Sequence, residues 1–521
     1  MKRLLVVLVV VALLLGVGGV AAVVVLGPGG GGGDGAAPRT DVPTTVPEPD
    51  ATQPPTPALA GFYSQTLSWS ACPADEALCA TLTVPLDYRH PDDETIDLAV
   101  LKVPAADTDR RIGSLVVNPG GPGAPGTDYA ASASAVFREP LLDAYDIVGF
   151  DPRGTGDSDP VDCLSDDELD AYLAADPDPD TPQEAASYAG WVDELGRGCV
   201  ERSGRLAAHV STVEAARDMD VLRAALGEST MTYFGASYGT KLGATYADLF
   251  PERVGRLVLD GAVDLSISAR ELSLEQAAGF ETALRAYVAN CVEQTDGCFL
   301  GDTVDAGLDR IRAFIDSVDA HPLPGGGERE LDVGNAFYGI VLPLYSRDYW
   351  VILSQALRAG FQGDGSVLLR LSDLYTSRGP DGYTDNSSEA IYAISCLDDP
   401  YAIPADQVSA NLADFEAASP TFGSVFAWGL TTCGGIRVHS TEPPREVRAA
   451  GAAPIVVIGT TRDPATPYDW AVHLADQLES GVLVSRDGDG HTGYNSGNDC
   501  VDEAVEAYLI DGTVPEDGLS C

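Results

Sequence analysis

The chain is poor in basic residues and has almost no lysine. Its 521 residues include 31 lysine and arginine residues against 79 aspartate and glutamate residues, a formal net charge of −48, and the lysines are only Lys2, Lys102 and Lys241. Such an acidic surface repels phosphate groups, so the composition argues against nucleic acid and anionic membrane surfaces as partners. The acidic excess is typical of a secreted protein that stays soluble through its surface charge.

Cysteine is absent before Cys72, which argues against lipid attachment at an N-terminal cysteine. Lys2 and Arg3 precede an apolar stretch at 4–26 that is long enough to span a bilayer. We therefore expect residues 1–26 to be a signal peptide or an N-terminal membrane anchor, and 27–58 to be a Gly/Pro/Thr-rich linker. Both possibilities place the protein outside the cell or at its surface.

Ten cysteines follow the predicted export signal. An even number in this setting favours disulfides over metal ligands or free thiols, and no metal or organic cofactor is implied. Sequence alone does not fix the connectivity, and some cysteines could remain reduced. Proximity along the chain predicts five local pairs: Cys72 with Cys79, Cys163 with Cys199, Cys291 with Cys298, Cys396 with Cys433, and Cys500 with Cys521.

Short apolar segments alternate with helical patterns over most of the chain. Two segments around a turn predict antiparallel strands at 80–84 and 96–101. Six further segments are typical of parallel strands covered by helices on both faces, at 114–117, 146–150, 231–234, 256–259, 455–458 and 481–484. The interval at 265–450 is too long for a loop. We predict an α/β core at 59–264 and 451–521, with a mainly helical cap between them.

A G-x-S-x-G motif at 235–239 lies between a predicted strand and a predicted helix at 240–250. This context is typical of a nucleophile elbow, in which a sharp turn exposes the serine hydroxyl above the sheet. The alternative is a tight glycine-rich turn without chemistry, because the motif also occurs by chance. The elbow interpretation predicts Ser237 as the nucleophile.

A serine nucleophile needs a histidine base and a carboxylate, and in an α/β-hydrolase the order along the chain is serine, acid, histidine. His491 lies in a glycine-lined loop after the last strand, whereas His473 fits the surface of a helix. Asp463 lies just past the strand predicted at 455–458 and is predicted as the acid. The alternatives are that Asp463 only caps the next helix, or that Asp469 or Asp487 is the acid.

The developing oxyanion needs N–H donors, for which we predict Tyr238 and Gly121. Tyr238 follows the serine, and Gly121 belongs to the glycine-rich segment 118–123 after a strand. A phosphate-binding loop is disfavoured because the lysine and Ser/Thr of a P-loop are missing. The segment 151–158 carries an arginine and carboxylates in a tight turn, and we predict that it braces the loops around the elbow.

Taken together, these motifs resemble the secreted tripeptidyl aminopeptidases of actinobacteria, which are α/β-hydrolase peptidases related to proline iminopeptidases. The matching segments are 118–123, 151–158, 216–220, 235–239, 259–261, 463–467, 490–492 and 500–521. Proline iminopeptidases usually have histidine where this chain has Asn118, which favours the tripeptidyl branch. The resemblance implies an α/β-hydrolase fold with a cap, and a triad of Ser237, Asp463 and His491.

The resemblance also implies a peptide substrate with a free N-terminus, cleaved to release short peptides such as tripeptides. An exopeptidase needs a wall that stops the chain and a carboxylate for its ammonium group, and we expect the cap to supply both, with Asp398 and Asp399 as candidates. Two alternatives remain: a carboxylesterase or lipase, and a surface-anchored binding protein without turnover. Epoxide and haloalkane hydrolases are disfavoured because their elbow nucleophile is aspartate.

Overall fold

The computed structural model describes residues 51–521 except for 73, 75, 76, 295, 296, 441, 443 and 444. The predicted signal or anchor at 1–26 and most of the linker lie outside the described residues. Within the described part, no helix combines the length and the apolar composition that crossing a bilayer requires.

One sheet of ten strands forms the centre of the molecule. The strands of the chain are β1 Ser70–Ala71, β2 Leu78–Pro85, β3 Thr95–Val103, β4 Gly113–Asn118, β5 Tyr145–Phe150, β6 Met231–Ala236, β7 Val254–Asp260, β8 Leu323–Pro324, β9 Glu330–Leu331, β10 Arg378–Gly379, β11 Gly382–Tyr383, β12 Ile455–Arg462, β13 Gly481–Asp489 and β14 Leu519–Ser520. The order in the sheet is β1-β2-β3-β5-β4-β6-β7-β12-β13-β14. The first three strands are antiparallel to their neighbours, and the strands from β5 to β14 pair in parallel.

Helices cover both faces of this sheet. The α-helices are α1 Ala60–Tyr63, α2 Gly126–Ala131, α3 Ala133–Val136, α4 Glu139–Ala144, α5 Asp166–Ala174, α6 Pro182–Ser203, α7 Thr212–Leu226, α8 Tyr238–Leu249, α9 Ala269–Gln294, α10 Val304–Ala320, α11 Val333–Val341, α12 Trp350–Gly360, α13 Ser366–Tyr375, α14 Ser387–Asp398, α15 Leu412–Ala418, α16 Gly423–Gly429, α17 Tyr468–Gln477 and α18 Asp499–Asp511. Alternate residues of one strand enter different cores: Val116 packs in one cluster, and Leu115 and Val117 pack in the other. The predicted α/β-hydrolase architecture is confirmed.

The segment 265–450 folds as helices α9–α16 with two short hairpins, β8–β9 and β10–β11. Helices α5 and α6, which the sequence analysis assigned to the core, pack against this cap. The ring of Tyr172 meets that of Tyr392, and Tyr188 meets Trp428. The cap is therefore built from two separate insertions, because the apolar faces of α5 and α6 find their partners there.

Five disulfides join Cys72 to Cys79, Cys163 to Cys199, Cys291 to Cys298, Cys396 to Cys433, and Cys500 to Cys521. These are the pairs predicted from proximity along the chain. Each closes a loop of no more than 37 residues in sequence separation, so each crosslink restrains its own neighbourhood and none ties distant parts of the chain together.

Candidate active site

Ser237 lies on a sharp turn between β6 and α8. Its backbone has φ 55° and ψ −125°, a conformation that residues other than glycine rarely adopt. The motif glycines make the turn fit: a Cβ on Gly235 would lie 2.4 Å from the carbonyl oxygen of Gly239, and one on Gly239 would lie 2.9 Å from that of Asn118. This geometry has the strain and crowding expected of a nucleophile elbow.

The side chains of His491 and Asp463 are in direct contact. The imidazole Nδ1 lies 2.9 Å from each carboxylate oxygen of Asp463, whose side chain is buried. The backbone N–H groups of Ala465 and Thr466 also donate to Asp463 Oδ1, both at 2.9 Å. The predicted acid therefore holds the turn before α17 and contacts the histidine at the same time, but it does not cap the helix, whose N-cap residue is Pro467.

The other nitrogen of the imidazole is available. Nε2 of His491 is buried and has no hydrogen-bond partner within the described part of the chain. The ring lies over Gly261, where a Cβ would come within 3.0 Å of His491 Cε1. The preceding residue, Asp260, accepts the N–H of Ser237 through its backbone carbonyl at 2.9 Å. The histidine and the elbow thus both contact residues 260–261 at the carboxyl end of β7, and no hydrogen bond joins Nε2 to Ser237 among the described residues.

Charge around His491 favours its protonated form. Burial alone lowers the pKa of the imidazole, but the charge and hydrogen bond of Asp463 and the charge of Asp260 outweigh it, so the pKa lies above the ordinary 6.5. A protonated Nε2 cannot take a proton from serine. If His491 is the base, as predicted, we expect the free enzyme to lose activity as the pH falls through this raised pKa.

We predict that kcat/KM falls about tenfold per pH unit on the acid side, with a midpoint above pH 6.5. A pH profile measured at a saturating substrate concentration reports this limb in the enzyme–substrate complex, and one measured far below KM reports it in the free enzyme. Circular dichroism over the same pH range separates titration from unfolding. A midpoint below 6.5 in the folded protein would contradict the predicted role of His491.

The predicted oxyanion loop packs against the elbow. Gly120 has φ +102°, and a Cβ there would lie 2.8 Å from Ser237 Cβ and 3.0 Å from the Tyr238 nitrogen. Gly121 follows with φ +105°. Tyr238 is the first residue of α8, where backbone N–H groups lack acceptors within the helix and carry partial positive charge. The donor roles of Tyr238 and Gly121 stay predictions.

The segment 151–158 makes bracing contacts of the kind predicted. Asp151 Oδ1 accepts the backbone N–H and the hydroxyl of Thr127, at 2.9 and 2.8 Å, at the start of the helix after the oxyanion loop. Arg153 is fully buried and makes a two-pronged contact with Asp218 of α7 at 2.7 and 2.8 Å. These bonds fix the elements around the site without reaching the elbow itself.

The cap contacts the segments that carry the predicted base, the predicted acid and the predicted oxyanion donor Gly121. The Tyr345 carbonyl accepts the His491 N–H at 2.8 Å, and the two rings meet edge to face at 5.4 Å. Gln276 donates to the Ala465 carbonyl at 2.8 Å beside the acid. A Cβ on Gly123 would lie 2.8 Å from a side chain of α14. The cap therefore forms part of the wall around the site.

The two carboxylates predicted to bind the substrate ammonium have other partners in the structure, and their role stays a prediction. Asp398 is engaged by Lys241 at 2.7 Å, by the Thr212 N–H at 2.8 Å and by the Thr212 hydroxyl. Asp399 is exposed and accepts the N–H of Tyr401. The prediction used only their position next to Cys396, which could not show that a lysine 157 residues earlier in the chain neutralises Asp398.

Two residues that touch the site had no role in the sequence analysis, Asp260 and Tyr345. Asp260 belongs to the family segment 259–261, and its position at the end of a predicted strand could have identified it as a site residue. Tyr345 lies inside the cap, where no motif marks it. Of the alternatives, the acid candidate Asp487 is paired with Arg462 at the surface, and the base candidate His473 is half-exposed on α17 with Asp264 at 2.7 Å.

Comparison with known proteins places the chain in a family. Residues 419–521 match the family model described as "TAP-like protein". The chain is 38% identical over 481 residues to serine protease Hip1 of Mycobacterium tuberculosis, covering 88% of this chain and 91% of that protein. It is 39% identical over 473 residues to carboxylesterase B of the same species, covering 87% and 89%. It is 31% identical over 470 residues to the tripeptidyl aminopeptidase of Streptomyces coelicolor, covering 87% and 86%. The sequence resemblance is thereby confirmed, and the chain belongs to the tripeptidyl aminopeptidase family of α/β-hydrolases.

Proposed function

We propose that this protein is an exported serine exopeptidase that releases short peptides, such as tripeptides, from free N-termini. The observation that carries the proposal is the contact of His491 Nδ1 with Asp463 at 2.9 Å. Nε2 has no hydrogen-bond partner among the described residues, and the imidazole lies near the end of β7, where the Asp260 carbonyl accepts the N–H of Ser237. The names of two relatives, a serine protease and a tripeptidyl aminopeptidase, support peptides as the substrate class. The five disulfides support export, since such bonds persist in oxidising compartments.

The reaction follows the acyl-enzyme route. His491 Nε2 takes the proton of Ser237 while the serine oxygen attacks the scissile carbonyl carbon, and the N–H groups of Tyr238 and Gly121 hold the oxyanion. His491 then gives the proton to the leaving nitrogen, and the C–N bond breaks. Water, deprotonated by the same imidazole, attacks the acyl-serine and releases the N-terminal fragment. Asp463 keeps the imidazole in the tautomer that leaves Nε2 open.

The cap supports an exopeptidase over an endopeptidase. It contacts the loops of the base, the acid and the oxyanion site, so an extended chain would meet protein on the side that the cap closes. A site closed on one side admits a chain end and limits how many residues fit before the scissile bond. The closure also keeps bulk water away from the charged intermediate, which strengthens its hydrogen bonds.

The proposal is tested with chromogenic amides of unblocked di-, tri- and tetrapeptides and of the same peptides with acetylated N-termini. We expect the unblocked tripeptide to be cleaved fastest and acetylation to reduce kcat/KM by at least about 100-fold, the discrimination that loss of a buried polar contact gives. The matched measurement is labelling by a fluorophosphonate, with the labelled residue mapped by mass spectrometry. Equal cleavage of blocked and unblocked peptides, or labelling away from Ser237, would contradict the proposal.

A second candidate function is carboxylester hydrolysis, which the name of the 39% identical relative favours. The same triad and oxyanion site cleave esters as well as amides, because the chemistry of the acyl-enzyme is shared. Short-chain aryl esters assayed beside the unblocked tripeptide amide separate the two. A higher kcat/KM for amide than for ester, despite the better leaving group of the ester, supports the exopeptidase. Turnover of esters alone supports the esterase.

A further inference from the structure

One residue outside the predicted triad, Asp260 at the end of β7, joins the two segments that carry Ser237 and His491. Its backbone carbonyl accepts the N–H of Ser237 at 2.9 Å. Its carboxylate accepts the backbone N–H of Gly493 at 2.7 Å and that of Tyr494 at 2.9 Å. The side chain is only 1% exposed. A single buried residue thus fixes the elbow relative to residues 490–495, which we call the histidine loop.

The histidine loop depends on carboxylates for its shape. Four consecutive backbone N–H groups donate to three of them: Thr492 to Asp463, Gly493 and Tyr494 to Asp260, and Asn495 to Asp502. Thr492 and Asn495 have φ values of 70° and 54°; asparagine tolerates this left-handed conformation, whereas it is strained for the β-branched Thr492. Such a backbone persists only where its surroundings hold it in place. Asp260 supplies two of the four bonds and is the carboxylate at the centre of the run.

We propose that Asp260 is a positioning residue of the active site, which holds His491 in line with Ser237 and supplies a second negative charge beside the imidazole. Asp260 does not touch the reacting atoms, and it acts through the loop and through the electric field. The inference rests on the proposed function only for the roles of Ser237 and His491, and it is independent of the substrate class.

The surroundings allow the carboxylate to act as a charge. His491 faces Asp463 from the turn after β12, Asp260 from β7 and the Tyr345 ring from the cap. Asp260 itself also faces Arg486 of β13 and Tyr129 of α2. Burial raises the pKa of Asp260 to about 6, while the N–H groups of Tyr494 and Gly493 oppose this. The carboxylate is therefore ionised at neutral and alkaline pH, where the imidazole works as a base, and it stabilises the imidazolium as it forms.

A structural role and a positioning role differ in what they change. Loss of a loop anchor lowers the melting temperature, whereas loss of a charge near the imidazole also moves the acid limb of the pH profile. Asp502 is the matched control, because it anchors the same loop through the Asn495 N–H and pairs with Arg138, and it does not contribute to the raised pKa of His491.

The test measures the rate at which a fluorophosphonate labels Ser237 in the purified full-length protein between pH 5 and pH 9. We expect Asp260→Asn to slow labelling by roughly 10- to 100-fold at alkaline pH, the cost of a misplaced catalytic group. Its acid midpoint should move to lower pH. Asp502→Asn should lower the melting temperature and leave the midpoint where it is in the wild type.

Asp260→Ala serves as a second variant in case Asp260→Asn does not fold. A cavity of about 210 Å³ is lined by Asp260, Thr492 and Tyr494, and the shorter alanine side chain should enlarge it towards the two N–H groups that it leaves unpaired, so we expect water to bind them. Wild-type labelling rates with an unchanged midpoint in a folded Asp260 variant would overturn the inference, and so would an equal midpoint shift in Asp502→Asn. Absence of label at Ser237 in the wild type would instead overturn the proposed function.

Discussion

Replacing Ser237 with alanine is expected to reduce kcat by about 10⁶-fold, to the level left by binding and the oxyanion site. The substitution removes only the hydroxyl oxygen and keeps the Cβ, which lies so close to Gly120 that a Cβ added there would come within 2.8 Å of it. The turn, its strained φ of 55° and the N–H bond to Asp260 remain possible for alanine. The loss should therefore appear in kcat, with the melting temperature close to that of the wild type.

The measurement combines turnover of the preferred substrate, fluorophosphonate labelling and thermal unfolding. Ser132→Ala is the matched control, because Ser132 is exposed and lies after α2, away from the elbow. It should retain wild-type turnover and labelling. Residual turnover above about one per cent in Ser237→Ala would show that another residue is the nucleophile, or that the acyl-enzyme route is wrong.

Replacing Asp463 with asparagine is expected to lower kcat by about 10⁴-fold with a small change in KM. The asparagine amide can present an N–H to Nδ1 where the carboxylate accepted one, and this favours the tautomer that carries its proton on Nε2. That nitrogen then has no lone pair for the serine proton. The pKa of His491 should also fall, because the charge and hydrogen bond of Asp463 are what raise it most, so the remaining activity should extend to lower pH.

Asp469→Asn makes the same chemical change six residues later, on the exposed face of α17, and tests the weaker acid candidate at the same time. It should retain full activity. Because Asp463 also accepts the N–H groups of Ala465 and Thr466, Asp463→Asn must be shown to fold, by thermal unfolding and by intact labelling of surface-exposed sites. A large loss in Asp469→Asn with an active Asp463→Asn would reverse the assignment of the acid.

Local patterns were sufficient to predict the core strands. The apolar segment at 455–458 predicted β12, and the structure extends it to Arg462, because the polar end of the strand still pairs with β13. The extension shows why the ends of the strands were predicted less accurately than their presence. Apolar periodicity marks the buried part of a strand, whereas backbone pairing continues into residues that face solvent.

The cap was the part least accessible from sequence. Its length predicted an insertion, but the assignment of α5 and α6 to it depends on contacts between residues far apart in the chain, such as Tyr172 with Tyr392. The partners of Asp398 were hidden for the same reason. Proximity to Cys396 was visible in the sequence, whereas its ion pair with Lys241 arises only when α14 packs against α8.

The sequence by itself determined the family, the sheet of parallel strands and the identity of Ser237, Asp463 and His491 as candidates, because each lies in a short motif next to a strand whose type is set by local preferences. The tertiary structure alone decided that Asp463 and His491 meet at 2.9 Å, that Asp398 is neutralised, and that Asp260 joins the elbow to the histidine loop. The contacts of Asp463, His491 and Asp260 depend on the register and order of β6, β7, β12 and β13, which bring together residues more than 200 positions apart, whereas the ion pair of Asp398 depends on the packing of α14 against α8. Local preference sets the conformation of a segment, whereas the burial of several segments in one core sets which of their ends come together.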